Sequence, residues 1–436
     1  MNTMRKTIAL RREDKNEWEK RVPLIPADVK ELREKYNVNV IVQPSQIRIF
    51  GDEEYRNAGA ELSESLKNGE VIFAVKEIPV GLLEAGKTYV FFSHTIKGQH
   101  YNMGMLKRLM ELQCTLIDYE KMEDAESRRL ITFSPHAGMA GTIDTLVAYA
   151  RKRLLQGVSN PFQDLKQPYQ YGSIIEAEDA LRSIAAEIRK NGIPADLHPL
   201  TIGVAGYGNV AQGVNHMLDL LPVKDLHPSQ LASEDISALD NRSIYRIVFK
   251  EEDLVKRREG QFDLQEYYLH PENYESIFHT YLPQPQILLN CVYWTESYPR
   301  FLTRQRMQDD HQLFGARGLQ VIGDISCDIE GAIEITKSAT KPDNACYTYD
   351  PRHDSFEDGI GKEGITVMAI DNLPCEFPRE ASTAFSSALK DYVSSIAEAD
   401  YNSEFETLAL PQAVKDAVIL HKGRLTPDYR YLEKYL

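Results

Sequence analysis

Short apolar runs alternate with helical spacing through the first third of the chain. "TIAL" runs into the charges of "RRED" and reads as a strand, "PADVKELREKY" opens on a proline and continues at helical spacing, and "VNVIVQPS" is the next strand. The alternation continues through "EEYRNAGAELS", "VIFAVKEI", "TYVFFSHTIKG" and "CTLIDYEKM", a helix and then β-rich runs that end in polar residues. Such a pattern predicts an α/β unit over roughly the first 130 residues.

From His136 the text changes. "AGMAGTIDTLVAYARKRLLQG" is a long helix with an apolar face, and "SNPFQDLKQPYQYG" has the prolines, glutamines and glycine of a linker. A second α/β domain begins with the amphipathic "SIIEAEDALRSIAAEIRKNG" and the strand, glycine turn and helix of "PLTIGVAGYGNVAQGVNHMLDLL". Strand character returns in "YRIVFKEEDLV", "PQILLNCVYW" and "LQVIGDISCD", and the chain closes with helical text.

Composition agrees with a packed protein of two domains: 42% of its 436 residues are hydrophobic and 26% charged. A net charge of -15 argues against a general nucleic-acid or membrane-surface role, since both need a basic face. The five cysteines are scattered, with no CxxC and no metal spacing, so they are expected to be reduced and intracellular, and no metal is expected. Without an apolar leader or a run of about 20 apolar residues, the expectation is a cytoplasmic protein, or matrix-type at most.

The glycine turn carries the first candidate chemistry. Gly206 allows a tight turn, Gly208 lets the backbone approach a pyrophosphate, and Asn209 and Val210 begin the helix whose N-terminus would receive the charge; Ala211 stands at the third glycine's spacing, with Gly213 beyond. About 20 residues on, Asp225 would favour the 2'-hydroxyl of NAD, whereas His227 and Ser229 would favour the 2'-phosphate of NADP, and the choice stays open.

If the second domain holds a dinucleotide, the first is expected to hold the substrate. Arg11, Arg12, Lys15, Lys20 and Arg21 crowd one segment of an acidic chain, and arginine's planar fork suits a carboxylate substrate. Lys15 and Lys20 read better as solvated surface charges, and Arg21, before a helix start, as functional. Lys76 and His94 each follow an apolar strand, where burial would tune a lysine and an imidazole would exchange protons near neutral pH. Asp324 and Asp328 end a strand of the second domain and would either orient cofactor or substrate or cap the next turn.

Taken in order, "RREDKNEWEKRVPL", "VQPS", "FFSHTIKGQ", "LIDYEKM", "AGMAG", "GYGNVAQG", "YWTESYPRFLTR", "DISCDIEGAIE", "IDNLPCEFPREAS" and "LPQAVKDAV" give the chain a family likeness over nearly its whole length. It resembles the lysine-ketoglutarate reductases, the amino-terminal half of bifunctional aminoadipic semialdehyde synthases, in the wider alanine dehydrogenase and transhydrogenase group. The resemblance implies two Rossmann-like α/β domains with a cleft between them, the second inserted in the first. The expected boundaries are 1–160 with 362–436 for the substrate-binding domain and 173–361 for the dinucleotide domain.

By the same resemblance Lys76 and His94 are the catalytic pair, Arg21 binds substrate, and Arg11 and Arg12 fit the family's first-loop arginine pair. The implied reaction condenses L-lysine with 2-oxoglutarate to saccharopine using NADPH, with NADH possible, and the product passing to a separate saccharopine dehydrogenase because the sequence stops at Leu436. Alternatives are the NAD-dependent lysine-forming saccharopine dehydrogenase working in reverse, an alanine-dehydrogenase-like enzyme using ammonia, and a non-catalytic nucleotide sensor. One departure from the pattern is Glu330 before Gly331, where relatives carry paired glycines.

Overall fold

The computed structural model describes residues 6–233, 238–282, 284–310 and 318–436. The chain divides into two compact units, Met1–Phe133 with Pro378–Leu436, and Ser134–Phe377.

In the first unit, β1 (Thr7–Leu10), β2 (Asn39–Val42), β3 (Glu61–Leu62), β4 (Val71–Phe73), β5 (Thr88–Phe91) and β6 (Thr115–Asp118) pair in parallel. The returning segment adds Val418–His421 antiparallel to β6, then Arg424–Leu425, for an eight-stranded sheet running Arg424–Leu425, Val418–His421, β6, β5, β4, β1, β2, β3. The central strands β4, β5 and β6 are buried along their length, which is why they read as apolar runs rather than alternating ones. Helices Pro26–Lys35 and Pro378–Glu398 pack together on this sheet: Ser386 Oγ donates to Asp28 at 2.6 Å, and the Val22 N–H donates to Ser382 Oγ at 3.0 Å.

The second unit is built on β7 (Thr201–Ala205), β8 (Val223–Leu226), β9 (Ile244–Phe249), β12 (Ile287–Asn290), β13 (Val321–Asp324), β14 (Cys346–Asp350), β15 (Ser355–Asp358) and β16 (Ile365–Met368), in the order β15, β14, β16, β13, β12, β7, β9, β8. All pairings from β8 to β16 are parallel, and the β14–β15 hairpin closes one edge. A separate ribbon pairs β10 (Val255–Arg257) with β11 (Tyr274–Ser276).

The long helix Ser134–Leu155, assigned by sequence to the end of the first domain, belongs to the second unit. It lies against β12, β13 and β16 and crosses the helix Asn209–Leu218 that follows the glycine turn. That crossing is close because neither helix carries a side chain there: a Cβ on Gly213 would stand 1.9 Å from the Pro135 carbonyl oxygen, and one on Gly138 would stand 2.0 Å from that of Val210. Gly213 therefore packs helix on helix, while buried Ala211 fills the third fingerprint position. Among the described residues no helix is long and apolar enough to cross a membrane.

The atom a Gly213 side chain would meet is backbone, so the helices must part to admit it. Gly213→Ala is expected to lower stability by at least about 2 kcal/mol in urea unfolding. A loss under about 0.5 kcal/mol would mean that the helices are not in contact there.

Candidate functional site

Parallel pairing sends the ends of β1, β4, β5 and β6 to the same edge of the first sheet. Lys76 lies just past β4, and its backbone N–H donates to Glu13 Oε2 at 3.0 Å while that of Val75 donates to Glu13 Oε1 at 2.6 Å. The lysine is half-buried, and its ammonium carries no hydrogen bond or ion pair to any described residue. Burial lowers its pKa, the nearby charges of Arg21 and Lys15 lower it further, and Glu19 and Glu77 oppose them.

Glu77 links this lysine to the next strand end. Its Oε1 lies 2.5 Å from His94 Nδ1, and its Oε2 lies 3.6 Å from Lys15 Nζ. Burial alone would raise this carboxyl, but the His94 hydrogen bond and the charges of His94 and Lys15 outweigh it and hold it at about 2. His94 sits in the left-handed region, with φ of 49°, a conformation that costs a non-glycine residue free energy and is kept only where its surroundings enforce it. They do: Asn102 Nδ2 donates to the carbonyls of Ser93 and His94 at 3.0 and 3.3 Å, and Phe92 stacks on the imidazole at 6.2 Å between centroids.

Below His94, the Ser93 hydroxyl and N–H both donate to Asp118 Oδ2, and the Glu120 N–H donates to Oδ1 at 2.8 Å. Burial raises Asp118 to about 6 despite these bonds. Glu13 is raised further, to about 7, by burial and by the negative charge of Glu19.

The arginines separate. Arg21 is buried, with Nε 2.8 Å and one terminal nitrogen 2.5 Å from the Glu19 carboxylate and its guanidinium 4.2 Å above the Phe133 ring. Its charge is one of those that lower the Lys76 pKa. Arg11 is buried against Asp14 at 2.5 Å, and its charge reaches Glu13. Arg12 turns to Glu64 at 3.0 Å on a hollow of about 540 Å³ that Asp14, Pro44 and Ser45 also line. Lys20 lies 6.0 Å from the Trp18 ring.

In the second unit the glycine turn follows β7. Gly206 holds φ of 95°, and a Cβ there would stand 3.2 Å from the Cys291 carbonyl oxygen; at Gly208, which caps the helix beginning with Asn209 and Val210, a Cβ would meet nothing within 4 Å. A turn only glycine can make, with an open face beside a helix N-terminus, fits the pyrophosphate of a dinucleotide. Asp225 on β8 is gripped by Arg246, at 2.7 and 3.1 Å, and His227 Nδ1 lies 2.8 Å from Ser229 Oγ.

Asp324 ends β13, buried, with its carboxylate engaged by Asn290 Nδ2 at 2.8 Å, the Cys327 N–H at 3.1 Å and the Thr336 hydroxyl at 2.5 Å. Burial raises it to about 6. It fixes the loop in which Cys327 and Glu330 hold φ of 52° and 49°, and in which the Asp328 carbonyl accepts the Gly331 N–H at 2.9 Å. Glu330 thus adopts a conformation that glycine takes more readily.

Sequence reading did not single out Glu13, Glu19, Glu77 or Asp118. Glu77 had a signal, its place beside Lys76 at a strand end. Glu13 and Glu19 lay in a segment whose acids read as solvated partners, and only folding shows them buried.

Comparison with known proteins places these features in a family. Residues 9–140 match the alanine dehydrogenase/PNT N-terminal domain, and residues 317–428 match the C-terminal domain of the same family. The chain is 33% identical over 98% of its length to an alpha-aminoadipic semialdehyde synthase of Arabidopsis thaliana, and spans 41% of that protein. It is 25% identical over 85% of its length to a Yarrowia lipolytica saccharopine dehydrogenase named NAD(+), L-lysine-forming, of which it spans 87%. An L-alanine dehydrogenase structure superposes with a TM-score of 0.61 over 98% of this chain and 99% of the other, at 16% identity, which shows a common fold.

Glu77 is ionised in the folded chain well below the ordinary 4.5 of its carboxyl, so its contribution to stability is complete above about 4.5 and is lost as pH falls towards 2. Glu77→Gln is therefore expected to cost about 1–3 kcal/mol in urea unfolding at pH 7, with the gap to the unchanged protein narrowing at pH 4. A gap independent of pH would show that Glu77 is not held by charge.

Proposed function

The chain belongs to the alanine dehydrogenase/PNT family, and on that premise we propose that it is an oxidoreductase condensing L-lysine with 2-oxoglutarate and reducing the product to saccharopine. The observation that carries this reading is the half-buried ammonium of Lys76, without a partner among the described residues and set beside the His94–Glu77 pair. The chain spans less than half of the semialdehyde synthase it resembles, so the activity rests on these residues as much as on likeness.

The side-chain amine of free lysine has a pKa of about 10.4 and must lose a proton before it can attack a keto carbon. Lys76, whose pKa burial lowers, can take that proton, and His94, hydrogen-bonded to Glu77, is the second candidate. Loss of water from the resulting carbinolamine needs an acid at the departing hydroxyl, and the protonated form of either residue serves. The two can exchange acid and base roles between steps.

Lys15, Arg21 and Lys76 supply local positive charge for substrates that bring three carboxylates, although the whole chain is acidic. Arg21, locked on Glu19, contributes a fixed field as well as any direct contact. Gly206, Gly208, Asn209 and Val210 would hold the dinucleotide, which when bound supplies the hydride.

The test is oxidation of a reduced nicotinamide dinucleotide with L-lysine and 2-oxoglutarate, each omitted in turn and ammonia replacing lysine. Turnover is expected only with both substrates, and Lys76→Met with His94→Gln is expected to lower kcat by at least about 100-fold at unchanged melting temperature. Turnover with ammonia and 2-oxoglutarate would move the chain to the amino-acid dehydrogenases, and near-normal turnover in the double variant would end the assignment of the pair.

A further inference from the structure

Strand order shows which side chain stands beside the glycine turn. Counting about 20 residues from the turn lands on β8, but β8 is the sheet edge and pairs only with β9. The neighbour of β7 is β9, in register Ala205 to Phe249, and the Gly206 N–H donates to the Phe249 carbonyl at 3.0 Å. The residues that leave the sheet next to the turn are therefore Lys250 and Glu251.

Glu251 is tied to the turn itself. Tyr207, between the two glycines, donates its hydroxyl to Glu251 Oε1 at 3.3 Å, and Tyr268 donates to the same oxygen at 2.7 Å. Burial and the hydrogen bond to Glu251 push the Tyr268 phenol upward, so it remains a donor at physiological pH. Both donors hold one oxygen, and Oε2 accepts no hydrogen bond from any described residue. The edge-strand acid, by contrast, already has both oxygens on Arg246.

Resting on the dinucleotide reading above, we propose that Glu251 selects NAD(H) over NADP(H) in this chain, its free oxygen accepting from the 2'-hydroxyl of the adenosine ribose. A 2'-phosphate in the same place would bring negative charge against this carboxylate and against Glu252 and Asp253, which follow it in the same turn. Arg246 cannot offset that charge, because its fork is committed to Asp225 and Asp219, and Lys250 is the one cation of the segment "KEED". The preference runs opposite to the NADPH that family likeness alone implies.

Calorimetric titration of the full chain with NADH and with NADPH, with no lysine or 2-oxoglutarate present, separates this inference from the catalytic one. NADH is expected to bind at least about tenfold more tightly, and Glu251→Gln to shrink that ratio about tenfold, chiefly by strengthening NADPH. Equal or tighter binding of NADPH to the unchanged protein overturns the proposal while leaving the dinucleotide reading intact, and binding of neither overturns both. A ratio that moves with Asp225→Asn and not with Glu251→Gln returns the role to the edge strand and likewise overturns it.

Discussion

Parallel strand pairing is the constraint from which both candidate sites follow. Strands in register end together, so residues far apart in sequence leave the sheet at one edge. In the first unit Leu10, Phe73 and Val90 lie on one row, and the chain beyond them supplies Arg11, Lys76 and His94. In the second, Phe249, Ala205, Asn290 and Asp324 form such a row, and the chain beyond them supplies Glu251, Gly206 and the loop after Asp324. Antiparallel pairing would have scattered these groups to opposite edges.

What the sheet brings together, burial then sharpens. Lys76 is half-buried with no counter-ion in contact among the described residues, and the carboxylate of Glu77, the next residue, is engaged by His94 and Lys15. A lysine paired with a carboxylate would hold its proton too firmly to act as a base. The left-handed backbone at His94 aims the imidazole at Glu77, and the two hydrogen bonds from Asn102 keep that conformation in place.

Much of this was legible in the sequence, for identifiable reasons. Fully buried strands read as apolar runs, so the α/β pattern, the glycine turn, Lys76 and His94 all stood out at strand ends. The helix Ser134–Leu155 was misassigned because periodicity reports that a helix has an apolar face and not which sheet covers it; Gly138 and Gly213, whose close approach settles the matter, lie 75 positions apart. Counting from the glycine turn assumes that the next strand in sequence is the next in space, and here an edge strand intervenes. The pairing of Arg21 with Glu19 needed a folded loop to be seen.

A shifted pKa by itself does not mark chemistry in this fold. Asp144 and Glu376 face each other inside the second unit, and burial raises both, Asp144 to about 7. Two neighbouring buried carboxyls disfavour each other's ionisation, which couples the long helix electrostatically to the turn that ends the unit. Asp118 and Asp324 are raised too, and each has its oxygens engaged by neighbouring donors. Lys76 differs from Asp144, Asp118 and Asp324, each of which is hydrogen-bonded, in having no partner among the described residues, and a perturbed group left unsatisfied at a strand end is one that a substrate can complete.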